Sequence, residues 1–133
     1  MILGNDKQVL FSDDELRCKG TAKLRLDSRF EEALRSLRLL LDEPMKVNSC
    51  CRASSYNGQI GGHLKSLHIC DDPQHPGQQG TMAIDIAVPS DIYRGKLARL
   101  ALSTGWSVGV YQDFLHLDRR VALSLPPVLF YGK

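Results

Sequence analysis

Residues 81–88 alternate between two kinds of side chain, and this pattern restricts the fold more than any other feature of the sequence. Successive side chains of a β-strand point to opposite faces, so the apolar residues at every second position share one face. The other face carries Asp85 between two alanines. A lone acid on a strand is usually solvated, but such small neighbours leave room for another group to approach this carboxylate. The pattern predicts a strand with Asp85 in an accessible position.

Helical periodicity predicts two helices around this strand. The first extends from about Ser28, which forms a capping-box pattern with Glu31, to Leu41. The second follows Ser90 as its N-cap and ends before Gly105, a suitable C-terminal cap. Each helix carries apolar residues at helical spacing, so each has one defined face to bury.

Three further segments are predicted to be strands. Residues 45–49 form a short one, and residues 108–111 and 114–119 form two strands joined by a tight turn. On the last strand His116 and Asp118 share one face.

Polar stretches separate these elements. Residues 50–68 are predicted to form a long loop, and residues 69–79 form a second polar loop. Long structured loops usually carry function. The tail, residues 121–133, contains Pro126 and Pro127 and is expected to lie along the surface.

The composition is that of one ordinary globular domain. Of the 133 residues 43% are hydrophobic and 24% charged, so we expect a single domain over residues 1–133. Seventeen basic residues against fifteen acidic ones leave a formal charge of +2 without a basic stripe. This near balance disfavours nucleic acid as a partner.

The sequence lacks the signals that are typical of secreted proteins and of membrane-spanning proteins. No basic segment followed by an apolar run opens the chain, and no apolar stretch approaches the ~18 residues that span a bilayer. We therefore expect a protein made in the cytoplasm without a signal peptide and with no membrane partner. The four cysteines form no C-x-x-C pair, so there is no zinc-finger or thioredoxin spacing, and a disulfide framework is not required.

Two histidines and one aspartate are candidate metal ligands. His68 ends the first polar loop, Asp85 lies on the small-residue face of its strand, and His116 lies on a later strand. Two imidazoles and one carboxylate leave a fourth position for water, which is typical of a catalytic zinc site. Spacing alone is a weak signal here, because no H-E-x-x-H pair ties two ligands to one helix.

Short motifs surround these three residues. They read S-L-H at 66–68, G-T-M-A-I-D-I at 80–86, G-W-S-V-G-V-Y at 105–111 and F-L-H-L-D at 114–118. Upstream lie F-S at 11–12, E-L-x-C at 15–18, S-C-C-R at 49–52, Asn57, and the glycine pair at 61–62. In this order, over nearly the whole chain, the motifs resemble the zinc D-Ala-D-Ala carboxypeptidase and murein endopeptidase family, peptidase family M15, especially its short phage-encoded members.

The resemblance implies an α+β fold, a small antiparallel sheet flanked by helices, as in these peptidases and the hedgehog signalling domain. It implies one Zn²⁺ held by His68, Asp85 and His116, with the metal polarising the scissile carbonyl and lowering the pKa of its bound water. Arg52 would bind a substrate carboxylate through two parallel hydrogen bonds, and Ser66 would hydrogen-bond the substrate near the metal.

Two departures from the family pattern bear on the site. The spacing between His68 and Asp85 is longer than is common in the family, so residues 69–79 resemble an inserted loop. The entropic cost of closing a loop grows slowly with loop length, so an insertion can bulge outward without moving its two ends. The inserted loop also contains His75, which is an alternative metal ligand to His68. The second departure is the cysteine pair at 50–51, next to Arg52, where the family has glycine and tyrosine.

The general base is predicted to be Asp113, three residues before His116, a position where several members of the wider group carry an acid. Residues three apart on a regular strand face opposite sides, so this assignment requires an irregular chain at Gln112 and Asp113. A turn between the two strands would supply it. Asp118 shares the face of His116 and is the alternative base, or else it orients that histidine.

The resemblance implies a zinc peptidase that hydrolyses peptide bonds of the peptidoglycan stem, of the D-Ala-D-Ala carboxypeptidase or endopeptidase type. We expect a monomer that acts on the cell wall after release, as a phage endolysin, or as a virion-associated lysin. The alternative is a non-catalytic zinc-binding module of a virion with the same fold. Such a module would not need a general base.

Overall fold

The computed structural model describes residues 1–132 and has a five-stranded sheet with helices packed on one face. Two short 3-10 turns, Asn5–Lys7 and Arg120–Leu123, supplement the main elements. In chain order these are β1 (Ile2–Leu3), β2 (Val9–Phe11), α1 (Asp13–Leu16), α2 (Ser28–Leu41), β3 (Val47–Ser49), α3 (Ser54–Gln59), β4 (Ala83–Ala87), α4 (Asp91–Ser103), β5 (Ser107–Val110), β6 (Phe114–Asp118) and β7 (Leu129–Tyr131).

The strands of the main sheet lie in the order β3-β4-β6-β5-β7. Neighbours are antiparallel except β5 and β7, which are parallel, and β1 pairs with β2 in a separate antiparallel ribbon. The predicted α+β class with a small antiparallel sheet is therefore confirmed. None of the helices within residues 1–132 is long and apolar enough to cross a membrane.

The two faces of the central strands differ in chemistry. On one face Ile84, Ile86, Leu115 and Leu117 are completely buried against α2 and α4. Burying side chains of this size contributes about 1.5–3 kcal/mol each relative to exposure. The opposite face carries the polar residues of β4 and β6, so the apolar core fixes the strands that present them.

The N-cap of α2 is Asp27, and the prediction of Ser28 was wrong by one residue. Ser28 is the first helical residue, and the Asp27 carboxylate accepts from the backbone N–H of Arg29 at 3.0 Å. Asp27 holds this position because the Arg29 guanidinium also bonds it, at 2.8 Å. A complete capping box occurs instead at α1, between Ser12 and Glu15.

Two segments predicted to be irregular contain regular structure. The 50–68 loop includes the short helix α3, which begins after Ala53. The tail does not simply follow the surface, because β7 pairs with β5 and places Phe130 beside Gly109. A side chain at position 109 would overlap the Phe130 ring, so glycine there permits this close approach.

Candidate metal centre

His68, Asp85 and His116 come together on the polar face of the sheet. Oδ1 of Asp85 lies 3.2 Å from Nε2 of His68 and 3.1 Å from Nδ1 of His116. One ligand atom from each of the three residues lies within 4.8 Å of the other two. The structure thus brings together the three residues predicted as metal ligands.

Sheet register places two of the three residues. β4 and β6 pair so that Asp85 lies directly opposite His116. Side chains directly opposite one another on an antiparallel pair project from the same face at close range. The alternation that buries Ile84 and Ile86 therefore also directs Asp85 toward His116.

Backbone hydrogen bonds fix the third residue, His68, which lies outside the main sheet. Its carbonyl accepts from the backbone N–H of Arg52 at 3.0 Å and from the Thr81 hydroxyl at 2.9 Å. The backbone N–H of Cys70 returns to the Arg52 carbonyl at 2.9 Å. The backbone of Arg52 is therefore bonded to the chain at His68 and at Cys70, two residues further on.

Gln78 clamps the same segment from the end of the inserted loop. Its buried amide group donates to the carbonyls of Leu67, Ile69 and Gly80, at 3.1, 3.3 and 2.8 Å. Two of these carbonyls flank His68 directly. One side chain thus joins the start of the loop to its end.

The loop is also tied to the beginning of α2. The backbone N–H of Gln79 donates to the Asp27 carboxylate at 3.0 Å, and the Arg29 guanidinium donates to the Gly77 carbonyl at 2.8 Å. These bonds keep the end of residues 69–79 in place while the middle bulges outward. The extra length between His68 and Asp85 is therefore compatible with a compact triad.

The second nitrogen of each imidazole is engaged elsewhere. Nδ1 of His68 lies 2.7 Å from the Cys50 carbonyl, which can only accept, so Nδ1 carries the proton. Nε2 of His116 lies 2.9 Å from the Asp118 carboxylate and donates to it. When both rings are neutral, two nitrogen lone pairs and an oxygen of Asp85 face one another. Such a convergence of acceptors requires a cation among them.

Charge around His116 favours a proton there when no metal is bound. Burial alone would lower the pKa of His116, but its bonds to Asp118 and Asp85 raise it to about 9. Burial would raise the pKa of Asp118, yet His116 and Arg120 hold it at about 2. Burial lowers the pKa of His68. A metal ion would therefore compete with one proton on His116.

Arg52 contacts the triad from the side. One terminal nitrogen lies 3.3 Å from Oδ2 of Asp85, the oxygen that does not face the histidines. Its Nε donates to the Ser49 hydroxyl at 3.1 Å, and its other terminal nitrogen lies 3.5 Å from the Asn57 side-chain oxygen. The Arg52 side chain is only 15% exposed, so it is not an ordinary solvated loop arginine.

A cavity of about 210 Å³ opens onto the triad. Ser66 lies on its wall, and the Ser66 hydroxyl accepts from the backbone N–H of His68 at 3.2 Å, which leaves its own proton free to donate. Tyr111 and Phe114 also line the cavity and form a stacked pair, with ring centroids 4.4 Å apart. This cavity has a polar floor and an aromatic side.

The other predicted candidates, His75, Asp113 and Asp118, are not part of the triad. Nε2 of His75 bonds the Lys65 carbonyl at 2.8 Å, and His75 is not part of the triad. Asp113 is exposed in the turn between β5 and β6, where its carbonyl accepts from the backbone N–H of Val88. Asp118 is completely buried against His116 and Arg120.

Several residues that support the site could not be predicted from the sequence. Gln78 and Arg120 follow no motif, and the Cys50 carbonyl is a backbone group that no side-chain pattern reveals. Asn57 belongs to one of the sequence motifs, and its side-chain amide donates to the His63 carbonyl at 2.9 Å.

All four cysteines are buried, and none of them forms a disulfide bond.

Comparison with known proteins agrees with this geometry. The family model described as Peptidase M15 matches residues 10–118, which include all three triad residues. No curated protein matches the chain. The family indicates a metal-dependent peptidase, and the triad is a donor set that could bind the metal. The chain belongs to the peptidase M15 family.

Proposed function

We propose that this protein is a zinc-dependent peptidase that hydrolyses peptide bonds of the peptidoglycan stem. The observation that carries the proposal is the convergence of Nε2 of His68, Nδ1 of His116 and Oδ1 of Asp85, with the outer nitrogen of each ring already bonded. Family membership supports the same reaction class.

The donor set fits Zn²⁺. Two imidazole nitrogens and one carboxylate oxygen suit a borderline-soft cation and leave a coordination position open. When bound, zinc would polarise the scissile carbonyl and lower the pKa of a coordinated water. The Cys50 carbonyl and the Asp118 carboxylate hold the two rings in the tautomers that present nitrogen lone pairs to the ion.

Arg52 and Ser66 are proposed to bind the substrate. Both line the cavity at the triad, and a guanidinium can hold a carboxylate through two parallel hydrogen bonds. Arg52 also fixes the outer oxygen of Asp85, which keeps the inner oxygen directed at the two histidines. The Ser66 hydroxyl can donate to a substrate carbonyl beside the triad.

Asp113 is proposed to accept the proton of the attacking water. It is exposed in the turn between β5 and β6, and Tyr111 and Phe114, on either side of it in sequence, line the cavity. Asp118 is already saturated by His116 and Arg120, so we assign it to positioning His116. Asp113 would have to turn inward from its solvated position when substrate binds.

A non-catalytic metal-binding module is the second candidate. Within residues 1–132 the only carboxylate lining the cavity at the triad is Asp85. A module that binds stem peptide without cutting it would need the triad and Arg52 but no base. For the active peptidase we propose the role of a phage endolysin or of a virion-associated lysin.

Digestion of purified peptidoglycan tests this function. The zinc-loaded protein should release soluble muropeptides, and mass spectrometry should show new amino and carboxyl termini at one kind of peptide bond. Treatment with a chelator should abolish the release, and added zinc should restore it. Binding to peptidoglycan without any new termini would favour the non-catalytic module.

A further inference from the structure

A second, larger cavity reaches the triad at His116, and Arg52 is not among the residues that line it. Its volume is about 440 Å³, within the range of small-ligand sites. His116 and Ser66 line both this cavity and the one that contains Arg52. The two cavities therefore meet at His116, beside the other two triad residues, and a peptide that crosses this junction would reach into both.

The lining of this cavity is basic. Lys65, His63, His75 and Arg120 contribute to it, while Asp118 is the one carboxylate that residues 1–132 place in its lining. Both oxygens of Asp118 accept hydrogen bonds from Arg120, at 3.0 and 2.8 Å, and one also accepts from His116. Since that negative charge is already paired, Lys65 is a cation for which the described part of the chain supplies no acidic partner in the cavity wall.

Several donors in the cavity are free to meet an anion. Nδ1 of His63 accepts from the backbone N–H of Lys65 at 3.0 Å, so in the neutral ring Nε2 carries a proton and can donate. The Ser66 hydroxyl accepts from the backbone N–H of His68 and keeps its own proton available. Arg120 uses Nε and one terminal nitrogen on Asp118, which leaves the other terminal nitrogen.

We propose that this basic cavity binds a second carboxylate of the peptide, on the opposite side of the scissile bond from the carboxylate held by Arg52. This inference rests on the proposed function, and it specifies the substrate as a peptide with a free acid on both sides of the cut. In a peptidoglycan stem two groups offer that chemistry: the free α-carboxylate of a γ-linked glutamate, and the extra carboxylate of diaminopimelate.

Direct binding of a stem peptide tests the subsite. The probe is the tripeptide L-Ala-γ-D-Glu-diaminopimelate, titrated calorimetrically into the zinc-loaded protein. Two further arms amidate the glutamate α-carboxylate or the side-chain carboxylate of diaminopimelate. We expect one amidation to weaken binding on the order of tenfold, and that arm identifies the group in the basic cavity.

Variants locate the effect. Lys65→Gln should remove most of the difference between the acid and its amide, and Lys65→Arg should retain it. Lys46→Gln is the matched control, because Lys46 is exposed and lines a separate cavity beside Pro44 and Tyr93.

Equal affinity of the acid and both amides for the unmutated protein would overturn the subsite, as would full discrimination in Lys65→Gln. Absence of peptidoglycan hydrolysis would contradict the proposed function but leave this binding result intact.

Discussion

Asp118 lies beneath His116 and accepts a hydrogen bond from its Nε2 at 2.9 Å, while Nδ1 of the same ring faces Asp85 at 3.1 Å. The imidazole is thus held between two carboxylates, one buried behind it and one in front. Arg120 pairs with Asp118 from the other side, at 2.8 Å. The buried carboxylate sets which nitrogen of His116 carries the proton and leaves the other nitrogen directed at Asp85.

Asp118→Asn should weaken zinc binding while leaving the fold in place. An amide at this position cannot supply the negative charge that orients and polarises His116, and loss of such a partner typically costs about 10–100-fold in metal affinity. Competition with a chromophoric chelator measures the change. Asp91→Asn is the control, since Asp91 is fully exposed on α4. Unchanged affinity in Asp118→Asn would show that Asp118 does not position the ligand.

Gln78 should be needed for zinc affinity although it touches neither the ion nor the substrate. In Gln78→Ala the carbonyls of Ile69 and Gly80 lose this donor, whereas the Leu67 carbonyl still accepts from the backbone N–H of Met82. Each unsatisfied buried group costs about 1–3 kcal/mol of unfolding free energy. Because Ile69 directly follows His68, zinc affinity should fall together with stability.

Two matched variants separate the clamp from simple loss of packing. Gln78→Glu keeps the shape but replaces the donor group by an oxygen, so it should be at least as harmful as Gln78→Ala. Gln79→Ala should behave like the unmutated protein, because Gln79 is exposed and uses only its backbone N–H. Denaturant unfolding and chelator competition measure the two effects. Wild-type zinc affinity in Gln78→Glu would refute the clamp.

Arg52→Ala should reduce capture of substrates that end in a free carboxylate. The expected loss is about 2 kcal/mol or more if the ion pair is desolvated. Zinc should remain bound, since Arg52 contacts only the oxygen of Asp85 that faces away from the histidines. The measurement is kcat/KM for a free-acid peptide and for its C-terminal amide. If the unmutated protein cleaves both at equal rates, Arg52 does not bind a substrate carboxylate.

Asp113→Asn should retain zinc and fold normally but lose most turnover. Removal of a general base typically costs about 10²–10⁴ in rate. Gln112→Ala, in the same turn, controls for disturbance of the β5–β6 connection and should keep its activity. The rate of muropeptide release from purified peptidoglycan gives the comparison. A wild-type rate in Asp113→Asn would mean that another group takes the proton.

The parts of this site that the sequence could predict are those governed by strand periodicity and motifs. Alternation along residues 81–88 and 114–118 indicated which side chains share a face, and the register then brought Asp85 opposite His116. His68 depended on its motif, because no periodicity spans a loop. The Ser28 capping pattern failed because Asp27, one residue earlier, is buried and bonded by the Arg29 side chain, an ion pair that the capping-box pattern does not include.

Other features depend on contacts between residues far apart in sequence. β7 is a short edge strand after two prolines, with Leu129 and Tyr131 exposed, so alternation gives it little signal. Gln78 acts through carbonyls on both sides of a loop, and any polar loop residue would look the same in sequence. Such hydrogen bonds across a loop become visible only once the chain is folded.

The zinc content of single-residue variants tests the central claim, that His68, Asp85 and His116 form one metal site. Elemental analysis of the purified unmutated protein should give one zinc per chain. His68→Ala and His116→Ala should lose it, whereas His75→Ala should keep it, because His75 is bonded to the Lys65 carbonyl outside the triad. Full zinc in His68→Ala together with loss of zinc in His75→Ala would contradict the assignment.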